Sequence, residues 1–147
     1  MGAIRRVCAK VLLVDSHNRV LLFSGIDRTR PEAPPTWFPV GGGVEEGETL
    51  EAAAIRETAE ETGFQISEPG PAVSTQRLRW SFEGTTFDQE DTYFLVRTPG
   101  FRLSDRGWTD VEKATVVDHR WWTLDELRAT NEVVHPENLA GLLEQLL

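Results

Sequence analysis

Sulfur and positive charge are what this chain has least of. Its 147 residues include one cysteine (Cys8), one methionine and one tyrosine. A single thiol excludes an internal disulfide and any Cys-rich zinc site, and it fits a reducing compartment. Lys+Arg 15 against Asp+Glu 24 leaves a net charge of −9, the wrong sign for a protein held to a nucleic-acid polymer by phosphate neutralisation. No run approaches the ~18 uncharged apolar residues of a membrane span. The opening MGAIRRVCAKVLLVD has a faint signal-peptide look, but Lys10 and Asp15 confine its apolar stretch and no small-residue cleavage site follows. Arg6 stands where a myristoylation motif has Ser or Thr. The expectation is a cytoplasmic protein with no membrane and no nucleic-acid polymer as partner.

What remains is an ordinary globular composition: 39% hydrophobic residues, and glycine lifts the apolar share to roughly 47%. No repeat or linker divides the chain, so residues 1–147 are expected to form a single domain. The charge is concentrated. Residues 45–61 hold seven glutamates (45, 46, 48, 51, 57, 60, 61) and one arginine, Arg56. That net −6 is two thirds of the total, and it demands a local explanation.

Residues 7–15 and 20–24 are apolar runs around a polar turn, hence a hairpin. Residues 26–36 hold three prolines and read as a loop. A short strand over 37–40 leads into Gly41-Gly42-Gly43, read as a flexible hinge. Thr49 as N-cap and Gly63 as C′ residue bracket a helix over about 49–62. Residues 72–82 alternate, with Leu78, Trp80 and Phe82 on one side and Arg77, Arg79 and Ser81 on the other. A turn at 83–85 leads to a strand over 87–97, and 98–112 read as a loop. A strand over 119–123, a helix over 124–129 and a C-terminal helix over 136–147 complete the chain. Helices flanking a sheet with hairpin and crossover connections imply an α/β class, an α/β/α sandwich around a mixed β-sheet.

On a helical wheel Glu57, Glu60 and Glu61 share an arc of ~100°, while Ala52, Ile55 and Ala59 lie opposite as the expected packing face. Like charges at this spacing destabilise a helix. Most acidic helix faces are merely solvated, but here three glycines precede the helix and allow a ligand to approach the backbone closely. Carboxylates plus a free carbonyl make an all-oxygen site suited to Mg²⁺ or Mn²⁺, and magnesium often shares its shell with substrate phosphates.

The spacing is specific. Gly42, five residues, Glu48, seven residues, then Arg56-Glu57-Thr58-Ala59-Glu60-Glu61-Thr62-Gly63-Phe64 resembles the Nudix box of the Nudix hydrolases. Three positions depart from the family pattern. Thr58 and Phe64 stand where aliphatic residues are usual, and Pro39 lies one residue earlier than the proline that commonly precedes the Gly-Gly pair. All seven charged and glycine positions are intact.

The resemblance implies Mg²⁺-dependent hydrolysis of a diphosphate linkage in a nucleoside diphosphate joined to a group X, with Mn²⁺ as substitute cation. It assigns the metal to Glu57, Glu60, Glu61 and the Gly41 carbonyl. Arg56 orients the acids, with Glu48 as its partner or an outer metal ligand. Glu57 is the first choice for general base, Glu90 the best acid outside the box and Asp91 the second. Arg77, Arg79, Arg28 and Arg30 are candidates for phosphate contact, with a solvated face as the plainer reading. Trp37, Trp80 and Phe82 are candidates for stacking a nucleobase, with a core role as theirs. Trp121-Trp122 are expected to pack the last helices with one ring buried, and Cys8 to be a small buried hydrophobe. None of the three histidines has ligand spacing to another.

The small size leans the substrate toward a nucleoside triphosphate, including oxidised ones. Markers of ADP-ribose and dinucleoside polyphosphate subfamilies are absent after the box, although those substrates remain alternatives. A non-catalytic nucleotide sensor is a further alternative, which degenerate box carboxylates would favour. Family members are often homodimers.

Overall fold

The leucine- and valine-rich N-terminal run becomes the strand at the middle of the sheet. In the computed structural model, which describes residues 2–147, strands β1 (Ile4–Val14), β2 (Val20–Gly25) and β3 (Thr36–Gly43) precede helix α1 (Leu50–Thr62). Then come β4 (Ala72–Phe82), β5 (Thr85–Arg97), α2 (Asp110–Thr115), β6 (Val116–Trp122), α3 (Leu124–Ala129), β7 (Val133–Val134) and α4 (Leu139–Leu146). β1 runs parallel to β5 and antiparallel to β2 and β3, so the sheet is mixed as expected. Its order is β4-β5-β1-β2-β3-β7, with β6 paired to β2.

Period-two alternation along β1 feeds two cores. Ala9, Val11 and Leu13 pack with Ala53 and Ala54 of α1 and with Phe94. Leu12 and Val14 pack with Trp37, Tyr93, Trp122 and the α4 residues Leu139 and Leu143 on the other face. Helices therefore cover both faces of the sheet. Cys8 is buried. Trp122 is buried against α4, so one ring is buried as expected, but Trp121 is half-buried on the α1 side beside Phe101 and does not pack the last helices; Trp37 is core, edge-on to Trp122 at 5.2 Å. Among the described residues no helix is long and apolar enough to cross a membrane.

Three local expectations are corrected. The Gly41-Gly42-Gly43 stretch is not a hinge: it is the end of β3, paired with Lys10, Ala9 and Cys8 of β1. Ladder pairing overrides the freedom of glycine here, and Gly41 is needed because any Cβ would sit 2.3 Å from the Ala9 carbonyl. Residues 109–115 are not loop. Thr109 and Glu112 form a capping box that starts α2, a signal visible in Thr-Asp-Val-Glu. The C-terminal helix begins at Leu139 rather than Pro136, and the brief β7 pairs with β3 just before it.

The packing face of α1 is the fourth correction. Thr49 caps the helix by accepting from Ala52 N–H, and Gly63 closes it in the left-handed region, both as read from sequence. Yet Ala52 is exposed, and the buried positions are Ala53, Ala54, Thr58, Glu61 and Thr62. Of the carboxylates only Glu61 joins this inward face, where small alanines let the helix lie close to the sheet, and of the expected packing residues Ile55 is partly buried and packs against the same core.

Thr58, fully buried on that stripe, has a hydroxyl with no hydrogen-bond partner. A buried unsatisfied group is unfavourable, and an isosteric apolar replacement relieves it. Thr58→Val is expected to stabilise the protein by about 1 kcal/mol, raising Tm by roughly 3 °C with turnover unchanged. Thermal unfolding followed by circular dichroism checks it.

Candidate active site

The site is organised by one guanidinium. Arg56 donates from Nε and Nη2 to the two oxygens of Glu48, each at 2.8 Å. Its Nη1 donates to Glu57 Oε1 at 2.9 Å and Glu60 Oε2 at 3.2 Å, and Nη2 also reaches the Gly43 carbonyl at 2.9 Å. The planar fork thus ties the strand end, the β3–α1 turn and the helix into one unit.

This clasp holds the Glu48 carboxyl down at about 2, chiefly through the Arg56 hydrogen bonds and then the Glu45 N–H. A depressed folded value adds stability above the unfolded carboxyl's range and loses it as pH falls toward the folded value. Glu48→Gln should therefore flatten the fall in stability between about pH 4.5 and pH 2, measured by urea unfolding across that range.

Glu57 and Glu61 turn toward the end of β3. A Cβ placed on Gly42 would meet the Glu57 carboxyl carbon and both its oxygens at 2.6 Å, so the missing side chain is the space the carboxylate occupies. Glu61 Oε2 accepts the Gly41 N–H at 2.9 Å and is buried. Burial pushes Glu61 well above the usual carboxylate range and Glu57 upward as well. Lys10 and the Gly41 N–H pull against burial at Glu61, and Arg56 does so at Glu57. Glu60 sits at the rim, its side chain 45% exposed.

Glu57, Glu60 and Glu61 do not converge on one point. Among the described residues no three His, Cys, Asp or Glu side chains are grouped closely enough to hold a metal ion. The physical reason is visible in the partners. Adjacent negative groups repel, and each turns to a nearby donor: Glu57 and Glu60 to Arg56, Glu61 to Gly41. The donors are nevertheless all oxygen, of the hard type that suits Mg²⁺ or Mn²⁺, and the absence of a Gly42 side chain is what lets the Glu57 carboxylate lie against the strand end.

Gly41, Gly42 and Glu61 line a cavity of about 640 Å³ that continues across the sheet to Leu78, Trp80 and Phe82. Loop residues Asp27 and Arg30 also line it. Arg28 does not, being committed to Glu83, which accepts from its Nε, Nη2 and backbone N–H.

The outer candidates divide by face. Glu83 and Gly84 both take positive φ and form a two-residue turn, which puts Trp80 opposite Phe87, Leu78 opposite Gln89 and Arg77 opposite Glu90. Trp80 therefore lines the cavity, as do Gln89 and Asp91. Glu90 does not: it lies on the other face with Arg77, whose Nη2 is 3.0 Å from its Oε2. Arg79 pairs loosely with Asp88 at 3.9 Å on that same face. Both arginines are mostly exposed, at 72% and 69% of their side chains, and Arg77 borders only a smaller recess at the sheet edge. Period two forbids Glu90 and Asp91 from sharing a face, and the register that decides between them is readable from the turn.

Sequence reasoning missed Lys10, which lines the cavity and faces Glu61. It also missed the role of residues 98–109. Trp108 Nε1 donates to the Glu61 carbonyl at 2.7 Å, and Ser104 N–H to the Thr62 carbonyl at 2.8 Å. A Cβ on Gly107 would strike the Glu60 backbone at 2.6 Å. This segment satisfies carbonyls at the end of α1 and fixes the helix from behind.

The NUDIX domain profile matches residues 4–142. An RNA pyrophosphohydrolase from Sphingopyxis alaskensis is 47% identical over 59 residues, 40% of this chain and 35% of that protein. The m7GpppN-mRNA hydrolase NUDT17 of Xenopus laevis is 40% identical over 57 residues, 39% of this chain and 19% of that protein. The matched stretch thus spans about a third or less of these relatives' length. Among solved structures, a MutT NUDIX hydrolase from Burkholderia pseudomallei superposes with TM-score 0.69 at 23% identity, covering 97% of this chain and 98% of that one. The MutT protein of Methanosarcina mazei Go1 gives TM-score 0.69 at 18% identity, covering 99% and 94%.

Proposed function

The chain belongs to the NUDIX family, and from that premise we propose that it is a Mg²⁺-dependent hydrolase of a diphosphate linkage in a small nucleotide, favouring nucleoside triphosphates. The observation that carries this reading is the Arg56 clasp. It gathers Glu48, Glu57, Glu60 and the Gly43 carbonyl beside a cavity into which Gly42 and Glu61 also face.

Glu57, Glu60, Glu61 and the Gly41 carbonyl are assigned as metal ligands. Bound there, a divalent cation supplies neutralisation of the phosphate oxygens and acidifies a water. Arg56 keeps Glu57 and Glu60 within reach of the strand end, and Lys10 adds a positive charge on the cavity wall. Glu57 is assigned as the proton acceptor for the attacking water, as the family resemblance implies, with its carboxyl fixed beside Gly42 by Arg56. Glu90 is left out, since its face of the sheet is not the cavity's.

The named activities of the RNA pyrophosphohydrolase and the mRNA hydrolase raise an RNA 5′ end as a second substrate class. A net −9 disfavours a long polyanion, so the small nucleotide is preferred. Phosphate and pyrophosphate release over nucleoside triphosphates, ADP-ribose, dinucleoside polyphosphates and a 5′-triphosphorylated RNA decides it. Turnover is expected on a nucleoside triphosphate, vanishing with EDTA and returning with Mg²⁺. Turnover indifferent to EDTA, or none on any substrate, overturns the reading.

A further inference from the structure

The turn between β4 and β5 carries a locally unfavoured residue. Glu83 and Gly84 both have positive φ, at 47° and 86°, the signs of a type I′ turn, whose first position favours Asn or Gly. A glutamate there is strained by its Cβ, and such strain persists where the surrounding structure holds it for another end.

Glu83 uses its longer side chain to reach another part of the molecule. Its Oε1 accepts Arg28 Nη2 at 2.7 Å, and its Oε2 accepts Arg28 Nε at 2.7 Å and the Arg28 backbone N–H at 3.0 Å. In return Asp27 Oδ2 accepts the Glu83 N–H at 2.9 Å. Four hydrogen bonds thus join the β2–β3 loop to the β4–β5 turn, and the guanidinium fork makes two of them bidentate.

These segments come from opposite sides of β1 in the sheet. Both line the cavity, the loop with Asp27 and Arg30 and the hairpin with Trp80 and Phe82, and Cys8 of β1 lines it between them. The clasp therefore spans the cavity. The loop is otherwise lightly held. Its ends are fixed, by the Ile26 N–H on the Thr115 carbonyl at 2.9 Å and by the pairing of Thr36 with Gly25. No residue from 26 to 36 is buried, and a segment with few buried contacts opens at low cost. Arg28 is 49% exposed along its side chain, and an ion pair that faces water parts more readily than a buried one.

We propose that the Asp27–Arg28–Glu83 clasp is the gate of this cavity, opening to admit a nucleotide and closing over it once bound. That the guest is a nucleotide rests on the proposed hydrolase reading; that the clasp governs access to the cavity does not.

The chain's one thiol supplies the test. Cys8 is 1% exposed and lines the cavity between the two clasped segments, so its rate of alkylation by iodoacetamide reports opening. Glu83→Asn removes three of the four bonds but suits the turn. It should melt close to the wild-type temperature while Cys8 reacts at least ~10-fold faster. Arg28→Gln breaks the clasp from the loop side and should speed the reaction likewise, which keeps the test open if the turn variant fails to fold. Wild-type alkylation rates in the folded variants, or rates that rise only in step with a fall in melting temperature, would overturn the proposal. Mg²⁺-dependent turnover with unaltered alkylation would overturn it and leave the hydrolase reading standing. Faster alkylation in a protein that turns over no nucleotide would keep the gate and remove that reading.

Discussion

Glu57→Gln and Glu61→Gln should each lower turnover about 10²–10⁴-fold while the protein remains folded. The change at each site is one oxygen to one amide. Glu61 keeps an oxygen for the Gly41 N–H, and Glu57 keeps one for Arg56. What is lost is negative charge where the proposed cation sits and, at position 57, the proton acceptor. Stability should move the other way for Glu61. A buried carboxylate whose proton affinity burial raises is a burden on the metal-free fold, so Glu61→Gln should melt at or above the wild-type temperature in EDTA. Unchanged turnover in both variants would remove these carboxylates from the chemistry. A collapse in melting temperature would make them structural.

Neighbouring glycines should respond in opposite ways. At Gly42 an added methyl meets only the far end of a flexible side chain, the Glu57 carboxyl group at 2.6 Å. Gly42→Ala should therefore fold but displace that carboxylate, lowering turnover by about 10²-fold or more with a small change in Tm. At Gly41 the methyl meets rigid backbone, the Ala9 carbonyl at 2.3 Å and the Lys10 Cα at 2.7 Å, from a φ of +138°. No side chain can move to relieve it. Gly41→Ala should destabilise by about 3 kcal/mol or more and accumulate as unfolded or insoluble protein. Paired thermal melts and turnover assays check the contrast. Equal behaviour of the two variants would contradict the packing described here.

The parts of the fold legible in the sequence were those decided locally. Thr49 and Gly63 bracket α1 because caps act over three or four residues. Arg56 and Glu48 pair within eight residues, Glu48 just before the N-cap and Arg56 in the second turn of α1. The mixed sheet followed from alternation and short turns. Legibility failed where a distant partner decides. The inward face of α1 is shifted from the predicted one because Glu61 is drawn in toward the cavity with Ala53 and Ala54; of the three expected residues Ile55 packs against the core, while Ala52 is exposed and Ala59 half-buried. The three glycines carry no local sign of being strand, because the pairing of β3 with β1 links residues more than thirty positions apart. Glu90 and Asp91, the two acids offered outside the box, differ only in phase. The Glu83-Gly84 turn fixes that phase, since it sets Glu90 against Arg77 and Asp91 against Gln76. Trp108 and Gly107 gave no local sign, as their partner is helix backbone some 47 residues earlier.

Titrating the protein with Mn²⁺, while electron paramagnetic resonance counts the free ion, interrogates the acidic end of the cavity without needing a substrate. The wild type should take up the cation, and Glu57→Gln, Glu60→Gln and Glu61→Gln should each weaken that uptake at least ~10-fold. Uptake by all three variants indistinguishable from the wild type would show that these carboxylates hold no cation.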